Sequence, residues 1–155
     1  MTTADASLYE DDFYAWTQQQ AERLRQGPAA ANRIDYDLTA EEIEDLGRSE
    51  LHACQSLCEH IIEHLLKIEY SGLAEPLDHW RDEIIEWRVQ FERKQTRSII
   101  AKLDIPDRYR VALRLLRRLE RDVPGLITRV PAECPYSLEQ ILGGEEDWFP
   151  TPRQP

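Results

Sequence analysis

An all-α fold, a single-domain bundle of four main helices closed by a short C-terminal helix and a strap, is what the sequence predicts, on three observations. Apolar residues recur at three- and four-residue steps through four long stretches, the spacing that lines one face of a helix. Alternation with a period of two hardly occurs and valine is scarce, so strand signals are nearly absent. A charged fraction of 32% beside a hydrophobic fraction of 41% suits helices whose outer faces are solvated by Glu and Arg. At 155 residues the chain is expected to form one compact domain, 1–155, with 1–7 and 150–155 as flexible ends.

The first helix is predicted over 8–25. Ser7 with Glu10 reads as a capping box, Tyr9, Phe13, Trp16, Gln20 and Leu24 give an aromatic-rich face, and Gly27-Pro28 stops the element. The link AAANRIDYDL leads to the longest pattern in the chain, predicted over 39–69, with Ile34, Tyr36 and Leu38 as a hydrophobic staple against its first turn. Thr39 and Glu42 read as its capping box. Ile43, Gly47, Leu51, Cys54, Leu57, Cys58, Ile61, Leu65 and Ile68 follow on one face, with Gly47 as a place to bend. After Ser71-Gly72 and Pro76, a third helix is predicted over 77–103 from Leu77, Trp80, Ile84, Trp87, Phe91 and Ser98, its tryptophans packed on the central helix. Pro106 suits the first turn of a fourth helix, predicted over 106–122. Its apolar stripe is Tyr109, Ala112, Leu113, Leu116, Leu119 and Val123, and its outer face carries Arg110, Arg114, Arg117, Arg118 and Arg121. Pro124-Gly125 ends it, and a strap with a short capped helix over 137–142 follows, held to the bundle or to a second subunit by Trp148 and Phe149.

With these landmarks in place, the sequence resembles a bacterial family known as domain of unknown function number twenty-nine. The pieces that carry the resemblance are LYEDDFYAW at Leu8–Trp16, LTAEEIEDLGRSE at Leu38–Glu50, EHLLKIEY at Glu63–Tyr70, the Trp80 segment with Trp87-Arg88, and PAECPYSLEQIL at Pro131–Leu142. The resemblance implies a small, all-helical bacterial protein; it implies no activity and supplies no catalytic residues. The arginine-rich segment Lys102–Arg121 fits the family pattern least well.

Several function classes lack their residues. There is no glycine-rich phosphate loop, no GxSxG and no Cys/His arrangement at a known spacing, so catalytic residues stay unassigned and no cofactor is called for. No apolar run is long enough for a membrane span and no signal peptide is evident, which makes the cytoplasm the expected location. Three cysteines make no disulfide framework, and Cys54 and Cys58, one turn apart on the apolar face, read as packed thiols.

What remains is a short set of polar positions. His60-x-x-x-His64 places two imidazoles one turn apart, as a metal site requires, yet the zincin order and a third ligand are missing; the competing reading of His64 is a hydrogen-bonded histidine at the core edge. Glu50 falls within the apolar stripe and is expected to be buried, paired with Arg88 or Arg81 or bonded to helix N-termini, with a general acid or base as the sharper alternative. Glu50 and His64 lie about 21 Å apart along the helix and cannot work as one catalytic pair.

Charge is distributed unevenly. Arg88 through Arg121 holds eleven basic and four acidic residues, net +7, so the rest of a chain of net charge −11 carries −18. The arginine face is expected to meet acidic helices of its own chain or of a neighbour, Glu41-Glu42-Glu44-Asp45 and Asp82-Glu83-Glu86 being the candidates; phosphates of nucleic acid are the other option, without interleaved aromatics to stack on bases. The functional expectation is a non-enzymatic protein acting through protein contacts, self-association as a dimer included. Its alternatives are an arginine-helix binder of nucleic acid or another acidic partner, and a metal-dependent enzyme using His60 and His64.

Overall fold

The computed structural model describes residues 3–27, 36–144 and 146–153, so the staple expected of Ile34 lies outside the described residues. Helix follows helix, and no strand occurs among those residues. The chain falls into two compact units, Met1–Cys54 with Lys94–Leu103, and Gln55–Arg93 with Asp104–Pro155.

The first unit holds α1 (Thr3–Asp11), α2 (Phe13–Gln26), the opening half of α3 (Tyr36–Tyr70) and α5 (Arg97–Ala101). The single helix expected over 8–25 is two, broken at Asp12. Its carboxylate N-caps α2 by accepting from the amide of Ala15 at 3.0 Å, and its second oxygen accepts from the amide of Ser98 at 2.9 Å, in the first turn of α5. Burial pushes the carboxyl pKa up, but the Ala15 and Ser98 amides outweigh it and hold Asp12 below its ordinary value. Ser7, expected as a cap, lies inside α1 and donates to Asp11.

The same capping logic corrects the third expected helix. It stops at Lys94, and Thr96 opens α5 by accepting from the Ile99 amide at 3.3 Å; Ser98, read as a stripe position, instead gives its N–H to Asp12. The central helix starts at Tyr36, three residues before the expected cap, with Asp37 in the first turn where a negative charge suits the helix dipole. Gly47 serves contact. A β-carbon there would lie 2.0 Å from the hydroxyl oxygen of Thr17, so only glycine lets α2 and α3 approach this closely.

The second unit is built on the other half of α3, where Ile61, Ile62, Leu65 and Leu66 are fully buried, more than one face of the helix. Against it pack Trp80 and Ile84 of α4 (Leu77–Lys94), Tyr109, Ala112 and Leu116 of α6 (Ile105–Leu116), and Leu126 of α7 (Leu126–Arg129). Asp104 caps α6 through the Asp107 amide from a left-handed backbone (φ 47°) that aspartate tolerates. The fourth helix, expected to run to 122, tightens after Leu116 into a 3-10 segment, Arg117–Arg121. That turn carries Glu120 to the amides of Gly125 and Ile127, which bond its two carboxylate oxygens at 2.7 and 2.8 Å. These amides, Ile127 first, hold the Glu120 carboxyl below its ordinary pKa.

The strap closes this unit. Tyr109 donates to the carbonyl of Pro131 at 2.6 Å, Ser137 and Gln140 form a capping box, and α8 (Leu138–Leu142) ends at Gly143 with φ 98°. The segment 150–153, expected to be a loose end, is pinned: Pro150 is buried, and Arg153 donates its amide to the Glu69 carbonyl and its guanidinium to the Glu69 carboxylate.

Candidate functional site

Arg88 sits at the centre of the second unit, 6% exposed. Its Nε donates to the carbonyl of Ile141 at 3.0 Å, and Nη2 donates to the carbonyls of Gln140 and Trp148 at 2.9 and 2.8 Å. The guanidinium lies 4.9 Å from the ring centre of Phe149, while Asp147 stands 4.0 Å from Nη1. One planar cation thus caps the C-terminal end of α8 and ties down the strap, a task that calls for the forked donors of arginine. Burial pushes its pKa down to about 10, so it stays charged at neutral pH. Glycine at 143 makes room, because a β-carbon there would come within 3.1 Å of the Arg88 side chain.

His64 forms the second buried polar knot. It is 7% exposed, with edge-on rings of Trp80 and Trp87 beside it; Nε2 lies 2.9 Å from Glu83 Oε2 and Nδ1 lies 3.1 Å from the carbonyl of His60. Burial, then the ammonium of Lys67, push its pKa down to about 3, against the opposing effect of the bond to the His60 carbonyl, so the ring is neutral and carries one N–H. Both ring nitrogens face acceptors, and because the bond to a carboxylate is the stronger, the single proton is placed on Nε2. Glu63, also buried, is neutralised by Lys67 at 2.9 Å. This arrangement engages His64, one of the two histidines of the metal reading, with other partners. Nε2 is taken by Glu83, His60 leans on Trp87 with its ring 5.3 Å away, and no set of three or more ligating side chains gathers for an ion among the described residues.

Glu50 is the correction among the candidate residues. It belongs to the first unit, its side chain is 37% exposed rather than buried, and its partner is Lys94 of the same unit at 2.9 Å, whereas Arg88 bonds the carbonyls of the strap and Arg81 pairs with Asp78. The position lies on the flank of the stripe, where a long side chain can turn its carboxylate outward. It shows no burial that would make it an acid or base.

The arginine face emerges on the surface. Arg110, Arg114, Arg117, Arg118 and Arg121 are all exposed. Arg110 pairs with Asp107, and Arg121 stands 3.8 Å from Asp122, while Arg114, Arg117 and Arg118 have no ion pair among the described residues. Of the acidic residues expected to meet this face, three have other partners: Glu44 pairs with Arg25 and Arg48, Asp45 with Arg48, and Glu83 with His64 and His79. Trp148 and Phe149 are likewise used within their own unit, against Tyr136 and over Arg88.

One constellation carried no signal in the sequence. Glu69, Tyr136, Gln140, Trp148 and Arg153 line a hollow of about 480 Å³ under the strap. The Glu69 carboxylate accepts from the Tyr136 hydroxyl at 2.7 Å and from Arg153 at 2.8 and 2.9 Å, and burial pushes the Tyr136 hydroxyl well above its ordinary pKa. Its groups bond one another and leave no free base. Cys54 and Cys58 are buried thiols outside any disulfide, and burial pushes Cys54 up to about 11, far from a reactive thiolate.

Fold and sites together define an all-helical protein with Arg88 and His64 buried and an arginine face exposed. No helix among the described residues is long and apolar enough to cross a membrane. The chain belongs to the family described as Domain of unknown function DUF29, which matches residues 8–149. Among solved structures it is similar to an alpha-helical protein of unknown function from Rhodospirillum rubrum, with 27% identity over 90% of this chain and 91% of that chain and a TM-score of 0.78. No curated protein matches the chain.

Proposed function

We propose that this protein is a non-enzymatic, cytoplasmic interaction module, acting through protein contacts that include self-association, with the outer face of α6 and the following 3-10 segment as its contact surface. One observation supports the reading above the others. Buried Arg88 and Glu63 are held by partners of their own unit, whereas Arg114, Arg117 and Arg118 project into solvent with no ion pair among the described residues. Five arginines on a chain of net charge −11 concentrate a positive field that favours an acidic protein surface and speeds its capture. Aromatics for base stacking are absent from that face, which disfavours the nucleic-acid alternative.

The test is affinity capture from nuclease-treated native extract with the intact protein and the triple variant R114E/R117E/R118E, folding of both checked by circular dichroism. The reading expects a protein partner, further copies of this chain included, that is retained by the first bait, lost by the second and released at about 1 M salt. Identical captures by both baits, or capture seen only in a parallel extract left without nuclease, would overturn it.

A further inference from the structure

The arginine face has a counterpart in the same unit. On α4, Ile85 and Val89 are 37% and 40% exposed, a pair of large apolar side chains one turn apart. Asp78, Asp82 and Glu86, all exposed, share their face of the helix. Positions 78, 82, 85, 86 and 89 follow one another at steps of four, three, one and three, and positions 110, 114, 117, 118 and 121 follow at the same steps. The first set reads acid, acid, apolar, acid, apolar; the second is arginine throughout. In the 3-10 segment residues three apart eclipse, which keeps Arg118 and Arg121 in one line.

We propose that these two faces are the halves of one self-complementary contact, and that the partner of the arginine face is the α4 face of a second copy of this chain. The inference rests on the reading of the arginine face as a contact surface and names its occupant. Charge complementarity selects the copy: arginine guanidinia reach Asp78, Asp82 and Glu86 while their aliphatic stems cover Ile85 and Val89, which charge alone would leave wet. Each copy carries both faces, so a two-fold pair repeats the contact twice. Two apolar side chains make a small dry centre, and the contact is correspondingly weak and salt-sensitive. Total charge works against it, since joining two copies of net charge −11 is opposed until salt screens the whole molecules but not the contact, a window near about 0.1 M where the screening length is about 10 Å.

The experiment is sedimentation velocity on the full-length protein in that window, up to high micromolar concentration, with two charge-reversed variants, R114E/R117E/R118E and D82K/E86K, whose fold is checked by circular dichroism. The intact protein is expected to sediment faster as concentration rises. Each variant alone is expected to lose at least about tenfold in association, and an equimolar mixture to regain it, because the reversed faces match each other. A monomeric intact protein, variants that still self-associate, or a mixture that stays monomeric would each overturn the proposal. A monomer whose arginine reversal still abolishes capture of a foreign acidic protein from extract would do so while leaving the arginine face as a contact surface.

Discussion

Arg88 and Trp148 are sixty residues apart in sequence, yet the Arg88 guanidinium donates to the Trp148 carbonyl at 2.8 Å and, through the same nitrogen, to Gln140. A side chain of α4 is thereby the fastener of the C-terminal strap, and two of its acceptors belong to a helix end that has few other partners.

Arg88→Ala should therefore cost about 3–5 kcal/mol, because it empties a buried site and takes a donor from three carbonyls, of which Gln140 alone keeps another, the Gly143 amide. Arg88→Lys keeps the charge but cannot fork, and should free the strap before the helices melt. Hydrogen exchange reads this directly: amides of 138–149 should lose protection in Arg88→Lys while those of 61–66 keep theirs. Unchanged protection of the strap would deny Arg88 its role.

His64 gives a pH prediction. Its folded pKa, pushed down to about 3 by burial and Lys67, lies below the value of roughly 6.5 in the unfolded chain, so between these limits the unfolded state binds more protons. Its contribution to stability is complete above about pH 7 and is lost as pH falls, by up to about 1.4 kcal/mol per pH unit. Ring nitrogen shifts in NMR should show a neutral Nε2–H tautomer at pH 6 and no titration above pH 5. A midpoint at or above 6.5 would mean that Glu83 outweighs burial.

Gly47→Ala removes a poor helix former, which on an open surface would stabilise by roughly 0.5–1 kcal/mol. Against Thr17 it should destabilise instead, since the new methyl falls 2.0 Å from the hydroxyl oxygen. A loss of about 1–3 kcal/mol in urea denaturation is expected, partly recovered in the double variant with Thr17→Ala. A gain in stability would show that the two helices part freely here.

Glu50→Ala should cost less than about 1 kcal/mol, as an exposed pair with Lys94 contributes little. A loss near 3 kcal/mol would restore the buried-carboxylate reading that the sequence suggested.

The contrast between Glu50 and Arg88 shows what the sequence can carry. The apolar stripe from Ile43 to Ile68 and the capped helix after Ser137 were legible because periodicity and capping are local signals. The breaks at Asp12 and Thr96 were not: each is a single capping side chain without glycine or proline, and Asp12 takes its second bond from Ser98, eighty-six residues away. A wheel places Glu50 near the core but cannot tell which way a flexible carboxylate turns. Arg88 and His64 were marked as positions, whereas their partners, backbone carbonyls of the strap and Glu83 of the next helix, lie beyond any local pattern. The five arginines were visible as a face from spacing alone; that three of them have no ion pair among the described residues needed the structure.

The claim that this face makes protein contacts is tested most directly by the rate at which a glyoxal reagent modifies individual arginines, read by mass spectrometry, in concentrated native extract and in dilute purified protein. The account predicts that Arg114, Arg117 and Arg118 react several-fold more slowly in extract, that about 1 M salt abolishes the difference, and that exposed Arg97 reacts alike in both settings. Equal rates at all four positions would contradict it.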